Sequence, residues 1–402
     1  MRLSRKQFTL TSILALSLLA GGIIALIPGE DPMLAEIEAY ATPKGKITAE
    51  LRRQLADIRG KKSVNVPNKE GYTPIMNAAR SGNIDAVDYL LVKGARLRRV
   101  GPGQQTAAAM AANDEIRQLL EACELAERKP GDQEKEQMRQ NLRNARINPD
   151  DLNQALFDAV SSWSGDSVRL TAQVLALGGN ANAINPQGRH ILQHRHQNPG
   201  SMILLLRQGS NPDAAKDSQG ASHAILNTIN RNPRFVRSLL AANASVKGAN
   251  ALAKAAGRGN AEWVEQFLER GADPNGVADN GKTVLEHAVQ GLGNPSGIDE
   301  LAGIPRCVRM LLEAGAKTEY RQKDGTLRSP ISPGGMSILP ECIRLLVDAG
   351  ADVNALNSRG ANYAQIAAYK PLTPETLALL QDIIDKGGDL SHVDATGATF
   401  LV

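Results

Sequence analysis

The feature that most constrains this chain is a short pattern that keeps returning: a helical stretch with apolar residues at i, i+3 and i+4, closed a few residues later by Gly or Asn and a small residue. From the N-terminal side the triplets are Val87, Leu90, Leu91; Ile116, Leu119, Leu120; Thr171, Val174, Leu175; and Met202, Leu205, Leu206. They continue as Val236, Leu239, Leu240; Val264, Phe267, Leu268; Val308, Leu311, Leu312; Ile343, Leu346, Val347; and Leu380, Ile383, Ile384. This spacing puts three side chains on one helical face, and Thr171 is the one polar member. A single short helix cannot bury such a face alone. A series of them therefore argues for paired helices stacked in a line, each pair covering the one before.

The segments around the triplets follow suit. YLLVKGARL (Tyr89 to Leu97), FLERGADPN (Phe267 to Asn275), MLLEAGAKT (Met310 to Thr318) and RLLVDAGADVN (Arg344 to Asn354) each end a helix on Gly, which supplies the left-handed C-cap. Weaker copies end at Gly178-Gly179, Gly209-Ser210, Asn243-Ala244 and Gly387-Gly388. Upstream lies a second helical pattern ending in small residues, as in TPIMNAA (Thr73 to Ala79) and NALAKAA (Asn250 to Ala256). Polar turns such as Asp279-Asn280-Gly281 predict short hairpins, because Asn-Gly tolerates positive φ. Thr283 then predicts the N-cap of the next helix.

Gly71 to Ala79 (GYTPIMNAA), followed by Gly82-Asn83, the Leu90-Leu91 face and Gly94-Ala95, resembles the ankyrin repeat family. The resemblance covers most of Asn68 to Val402 and implies an all-α helix-turn-helix solenoid of about nine uneven repeats with short β-hairpin turns. It also implies a non-catalytic role with a protein partner, no cofactor and no small-molecule substrate. The family's signature His is replaced by Met76, Ala253 and Glu286 in the first, sixth and seventh repeats, so weaker side-chain bonding under those turns is expected.

Phe8 to Ile27 carries no charge, follows Arg2, Arg5 and Lys6, and precedes Glu30 and Asp31. That length crosses a bilayer as one helix, with the basic flank cytoplasmic and the rest exported. A cleaved signal peptide is the alternative. Ala20-Gly21-Gly22 suits cleavage poorly, because Ile23 to Ile27 prolongs the apolar run, while Ser4 to Phe8 has some likeness to a twin-arginine export signal. The organisation expected is an anchor over 1–30, a helical stalk or cap over 31–66, repeats one and two over 67–123, a charged linker over 124–149, and repeats three to nine over 150–402. In the linker, Met138 and Leu142 form a thin apolar stripe, read as a helix leaning on the array or as a solvated connection.

Three repeats lengthen the connection between their two helices: repeat seven over Gly291 to Pro305, repeat nine around Pro371 to Pro374, and repeat three around Ser162 to Gly165. Equivalent connections share one edge of a solenoid, so these form a candidate contact surface, with neutral loop growth the competing reading. Candidate interaction residues are Trp163, Asn294, Pro295 and Asp299 in the insertions, and Asp279, Asn280, Lys282, Asp324 and Arg359 at the turns. Trp163 reads as packed beneath its loop, with exposure as a binding anchor the alternative. In repeat eight, Pro333 and its two following glycines predict a short or strained first helix.

Catalytic chemistry finds little support. A net charge of +4 over 402 residues leaves no footprint for nucleic acid. His190, His194 and His196 form H-x-x-x-H-x-H, whose i, i+4 pair on the first helix of repeat four could hold a metal. They are the basis of a second reading, a metal-dependent or enzymatic protein; a third is a cleaved, secreted effector. No HExxH, nucleophile elbow, phosphate loop or Cys-x-x-Cys accompanies them. Cys307 and Cys342 head the second helices of adjacent repeats. Helices stack about 8 to 10 Å apart, whereas disulfides need Cα atoms within about 6.8 Å, so free, half-buried thiols are expected. Cys123 reads as filler, and Trp263 as packed.

Overall fold

The computed structural model describes residues 63–163, 165–229, 231–291, 298–321, 327–331, 339–357, 359–368, 370–371 and 373–400. The apolar segment Phe8 to Ile27 and the stretch up to residue 62 lie outside them, as do Asn294, Pro295, Asp324 and most of Ser329 to Gly335. No helix among the described residues is long and apolar enough to cross a membrane. The regular elements among these residues are helices apart from one pair of two-residue strands, and the residues form two compact units: 63–217 with 222–245, and 218–221 with 246–400.

The N-terminal unit holds α1 (Pro74–Ser81), α2 (Ile84–Val92), α3 (Asp114–Ala126), α4 (Asp132–Asn144), α5 (Leu152–Ser161), α6 (Ser167–Ala176), α7 (Pro199–Arg207), α8 (His223–Thr228) and α9 (Pro233–Ala241). Asn83 and Asn113 cap α2 and α3 by accepting from the amides of Ala86 and Ile116 at 2.9 and 3.0 Å. Pro opens α1, α7 and α9, where its missing N–H costs nothing. Cys123 stands where other repeats carry Gly, and with no left-handed residue to stop it α3 runs on to Ala126. In the linker, α4 buries Met138 and Leu142. Repeat four departs from expectation: its first half is a single 3-10 turn, Ile191–Gln193, followed by loop. The His i, i+4 face therefore never forms.

The packing of this unit corrects the expected line of stacked pairs. In a line, α2 would touch only the next repeat. Instead α2 packs on α7 and α9, and α3 on α6 and α7. At the centre, every residue of α7 from Pro199 to Leu206 is buried. Ion pairs fasten the closure: Arg234 donates Nε and Nη2 to the two carboxylate oxygens of Asp88 at 2.7 and 3.0 Å and Nη1 to Glu115. Arg237 reaches Asp85 at 3.3 Å. Arg207 donates to Glu127 and to the Leu91 and Ala95 carbonyls at 2.9 and 2.7 Å. Repeats four and five thus close onto repeat one.

The C-terminal unit keeps the expected order. It comprises α10 (Ala249–Ala256), α11 (Ala261–Glu269), α12 (Val284–Gln290), α13 (Ile298–Glu313), the antiparallel pair β1 (Tyr320–Arg321) and β2 (Leu327–Arg328), α14 (Pro340–Asp348), α15 (Tyr363–Ala368) and α16 (Pro374–Asp385). Here α10 and α11 pack on α12 and α13, α13 on α14, and α14 on α15 and α16. The repeat-seven insertion is not loop throughout: residues from Ile298 join the second helix, with Pro305 inside it. Gly303 lets that helix approach, since a β-carbon there would lie 1.9 Å from the Gly259 carbonyl oxygen. Across both units the triplets are buried except Leu268 and Leu312, half-buried, and Ile384, exposed. Cys123, Cys307 and Cys342 are free, as expected, but fully rather than half buried; burial pushes each thiol up to about 12.

One residue recurs as a clamp between successive repeats. Asn275 donates to the Gly315 carbonyl at 2.9 Å and accepts from the Lys317 amide at 2.8 Å. Asn354 does the same to Gly387 and Asp389, Asn182 to Gly209 and Asn211, and Asn65 to Gly94 and Arg96. Each pair satisfies a helix-terminal carbonyl that would otherwise lack a partner. Asp213 and Glu319 keep only the accepting half, from the amides of Ser245 and Asp352.

Candidate interaction surface

The hairpin at Gly276 to Thr283 forms as its Asn-Gly turn requires. Gly281 sits at φ 80°, and Ala278 N–H donates to the Lys282 carbonyl at 2.8 Å. Thr283 then caps α12, accepting from the Glu286 amide at 3.1 Å while Glu286 accepts from the Thr283 amide at 2.7 Å. The other Glu286 oxygen accepts from the Tyr320 hydroxyl at 3.0 Å. Glutamate in the place of the family's His thus restores the bonding whose loss was expected at this turn. Burial pushes the Glu286 carboxyl up, and its bonds to Thr283 and Tyr320 oppose that shift.

The predicted turn residues Asp279, Asn280 and Lys282 are exposed, and they bond to neighbours along the surface. Asp279 accepts from Ser218 Oγ, Asn250 Nδ2 and Gln219 Nε2 at 2.9, 2.8 and 3.2 Å, and the Ser218 bond leads in holding its carboxyl below the usual range. Asn280 Oδ1 accepts from the Lys282 amide and from His287 Nε2, each at 3.2 Å, and Lys282 Nζ donates to Gln290 at 2.7 Å. These three residues fasten the hairpin. Arg359 lies exposed in its own turn, its amide bonded to Asn357 Oδ1 at 2.8 Å. Asp299 lies in the first turn of α13.

Apolar side chains face water at the hairpins beside these exposed polar ones. Ile184, Val277, Leu356 and Val393 are exposed, and each precedes its turn glycine, Gly188, Gly281, Gly360 or Gly397, by the same interval. In the sequence this register is masked by the polar turn residues that follow it, which are the stronger signal for a hairpin. Trp163 is also exposed, at 79 %, correcting the expectation that it packs beneath its loop. Its ring carries the Arg195 guanidinium at 5.7 Å from the centroid. Trp163 belongs to the N-terminal unit and the other predicted residues to the C-terminal one.

The histidines are structural wiring. His190 Nδ1 accepts from the Leu192 amide, leaving Nε2 to donate to Asn182 Oδ1 at 3.2 Å and so support that clamp. Ser161 donates its hydroxyl to the Phe157 carbonyl at 2.6 Å, so His194 Nε2 must donate to Ser161 Oγ at 2.7 Å. That polarity is opposite to the one that activates a nucleophile. His196 is fully buried and donates to the Ile191 carbonyl at 3.0 Å. Burial lowers its pKa to about 3, and its Nδ1 has no partner. Among the described residues no three His, Cys, Asp or Glu side chains converge to hold a metal.

Comparison with known families agrees with this architecture. Ankyrin-repeat family models match residues 222–324, as three copies, and residues 70–99. Those two segments are similar to ankyrin repeats. No curated protein matches the chain.

Proposed function

We propose that this chain is a non-catalytic protein-binding module whose repeats are held on the exported side of a membrane by its N-terminal segment. The observation that carries the binding role is the exposed apolar register at Ile184, Val277, Leu356 and Val393. Val277, Leu356 and Val393 lie in one unit, and an apolar residue returned to water at the same hairpin position in several of its repeats is what a partner would cover. Ankyrin repeats suit the same role, since a stacked array offers an open surface rather than a closed pocket. Membrane attachment is supported by the uncharged run Phe8 to Ile27 between Arg2, Arg5, Lys6 and Glu30, Asp31.

Photo-crosslinking residues introduced singly at Val277 and Leu356 should each give a discrete protein adduct in cells. A third at Glu265, exposed on a helix away from the hairpins, should not. Equal labelling from all three would end the module reading. Recovery of the full-length mass from membranes supports the anchor; a mature chain shortened near residue 22 in the soluble fraction would replace it with a secreted form.

A further inference from the structure

Most arginines in the core of the N-terminal unit have a carboxylate. Arg207 pairs with Glu127, Arg234 with Asp88 and Glu115, and Arg237 with Asp85. Around Trp163 the arrangement is reversed. Arg195, exposed, lies over the indole and bonds to no carboxylate among the described residues. Arg231 donates to the His196 carbonyl and covers the Phe235 ring at 4.9 Å; burial and then the positive charge of Arg195 disfavour its cation. Arg189 is exposed and close enough to lower the His194 pKa, which burial lowers most. Asp158 is the acid that opposes it there, and its carboxylate already accepts from Gln154 at 2.8 Å.

A guanidinium stacked on a ring face keeps its in-plane N–H donors turned outward. Arginines that share a surface with their charges uncompensated repel one another, and an anion relieves them. Trp163 adds a flat apolar platform at the same place, carried by residues that lengthen the loop and are not needed to build the repeat. We propose that Trp163, Arg195 and Arg231 form a docking site for an acidic segment of a protein partner, with a carboxylate on the Arg195 and Arg231 donors and an adjacent apolar side chain on the indole. This rests on the protein-binding reading and names the chemistry of one partner segment. A single exposed aromatic suits a peptide better than single-stranded nucleic acid, which is held by a basic groove and a series of stacking rings.

The test uses the two tryptophans. Trp263 is 1 % exposed and Trp163 79 %, so changes in emission on ligand binding report Trp163. A short, tryptophan-free peptide of alternating glutamate and leucine, titrated into the full chain in detergent, should give a saturating change that added salt weakens. The glutamine counterpart should bind at least about tenfold more weakly, and Arg195→Glu should weaken the glutamate peptide by about tenfold or more. With labelled peptide and anisotropy detection, Trp163→Ala should weaken it as well. Unchanged affinity in Arg195→Glu, or tighter binding of an oligo-dT strand, would overturn the proposal. If the Arg195→Glu melting profile shifts, Arg195→Gln carries the comparison. Crosslinks from Val277 and Leu356 do not involve Trp163. Their survival alongside a failed titration would remove this site alone, whereas loss of both would remove the module reading with it.

Discussion

The two units use the same triplet and differ in what lies on the rest of the helix. One residue after the first triplet position, Asp88, Ala172 and Ile203 are buried and Arg237 half-buried in the N-terminal unit, with Arg117 the exposed exception, whereas Glu265, Arg309 and Gln381 are exposed and Arg344 half-buried in the C-terminal one. The next position shows the contrast more weakly, with Tyr89, Gln173, Leu204 and Ser238 buried and Gln118 exposed, against Leu345 and Asp382 half-buried and Gln266 and Met310 buried. The triplet sets how one repeat sits on the next. The opposite face decides whether the repeats stay in line or fold back upon themselves.

If that division is right, the largest effect should come from Arg234→Met, which leaves Asp88 buried without its cation and should cost about 3 to 5 kcal/mol. Hydrogen exchange should show lost protection in α2 and α7 with α10 to α15 unchanged. Adding Asp88→Leu should recover most of the loss; no recovery would mean that shape rather than charge holds the closure. Next, Leu204→Ala and Leu345→Ala alter the same repeat position. The first, fully buried, should cost about 2 to 5 kcal/mol and the second about 1 kcal/mol. Equal shifts in denaturation midpoint would erase the contrast between the units.

Acidification should act more modestly on the N-terminal unit. The His196 imidazole is held neutral, with its pKa below the ordinary 6.5 at about 3. The stability it brings is therefore complete above pH 6.5 and declines as pH falls, by about 2 kcal/mol at pH 5. Asp88 acts in the opposite sense, since burial pushes its carboxyl up to about 6 against the pull of Arg234. Comparing wild type with His196→Gln cancels the Asp88 contribution, and parallel pH profiles would show that the imidazole is not buried. The smallest change should be Trp163→Ala, within about 0.5 kcal/mol. A larger loss of thermal stability would place that loop in the core.

The sequence carried the linear half of this architecture openly, because burying a triplet leaves a periodic trace. The closed half was written less plainly. Met202 to Leu206 is an unbroken apolar run, and a helix with no polar face must be covered on every side. Asp85 with Asp88, and Arg234 with Arg237, are matching i, i+3 pairs of opposite charge on distant helices; read singly they look like solvated faces. The His motif misled because its spacing means a shared face only within a helix, and repeat four has a 3-10 turn and loop there. At the hairpin, Asp279 and Asn280 lie in water as turn residues usually do, and their side chains also complete the turn, a second role that composition alone does not reveal. Trp163 sits outside the periodic pattern, so no neighbour in the sequence could settle its burial.

The bond between Arg234 and Asp88 also limits how the gene can change. Duplicating a unit within an open array lengthens it and leaves every junction as it was, a route available to the stretch after residue 246. A duplication between the helices that bear these two side chains would carry them apart and strand both charges. The N-terminal portion is therefore fixed in the number of its members, and only substitution within them remains open to it.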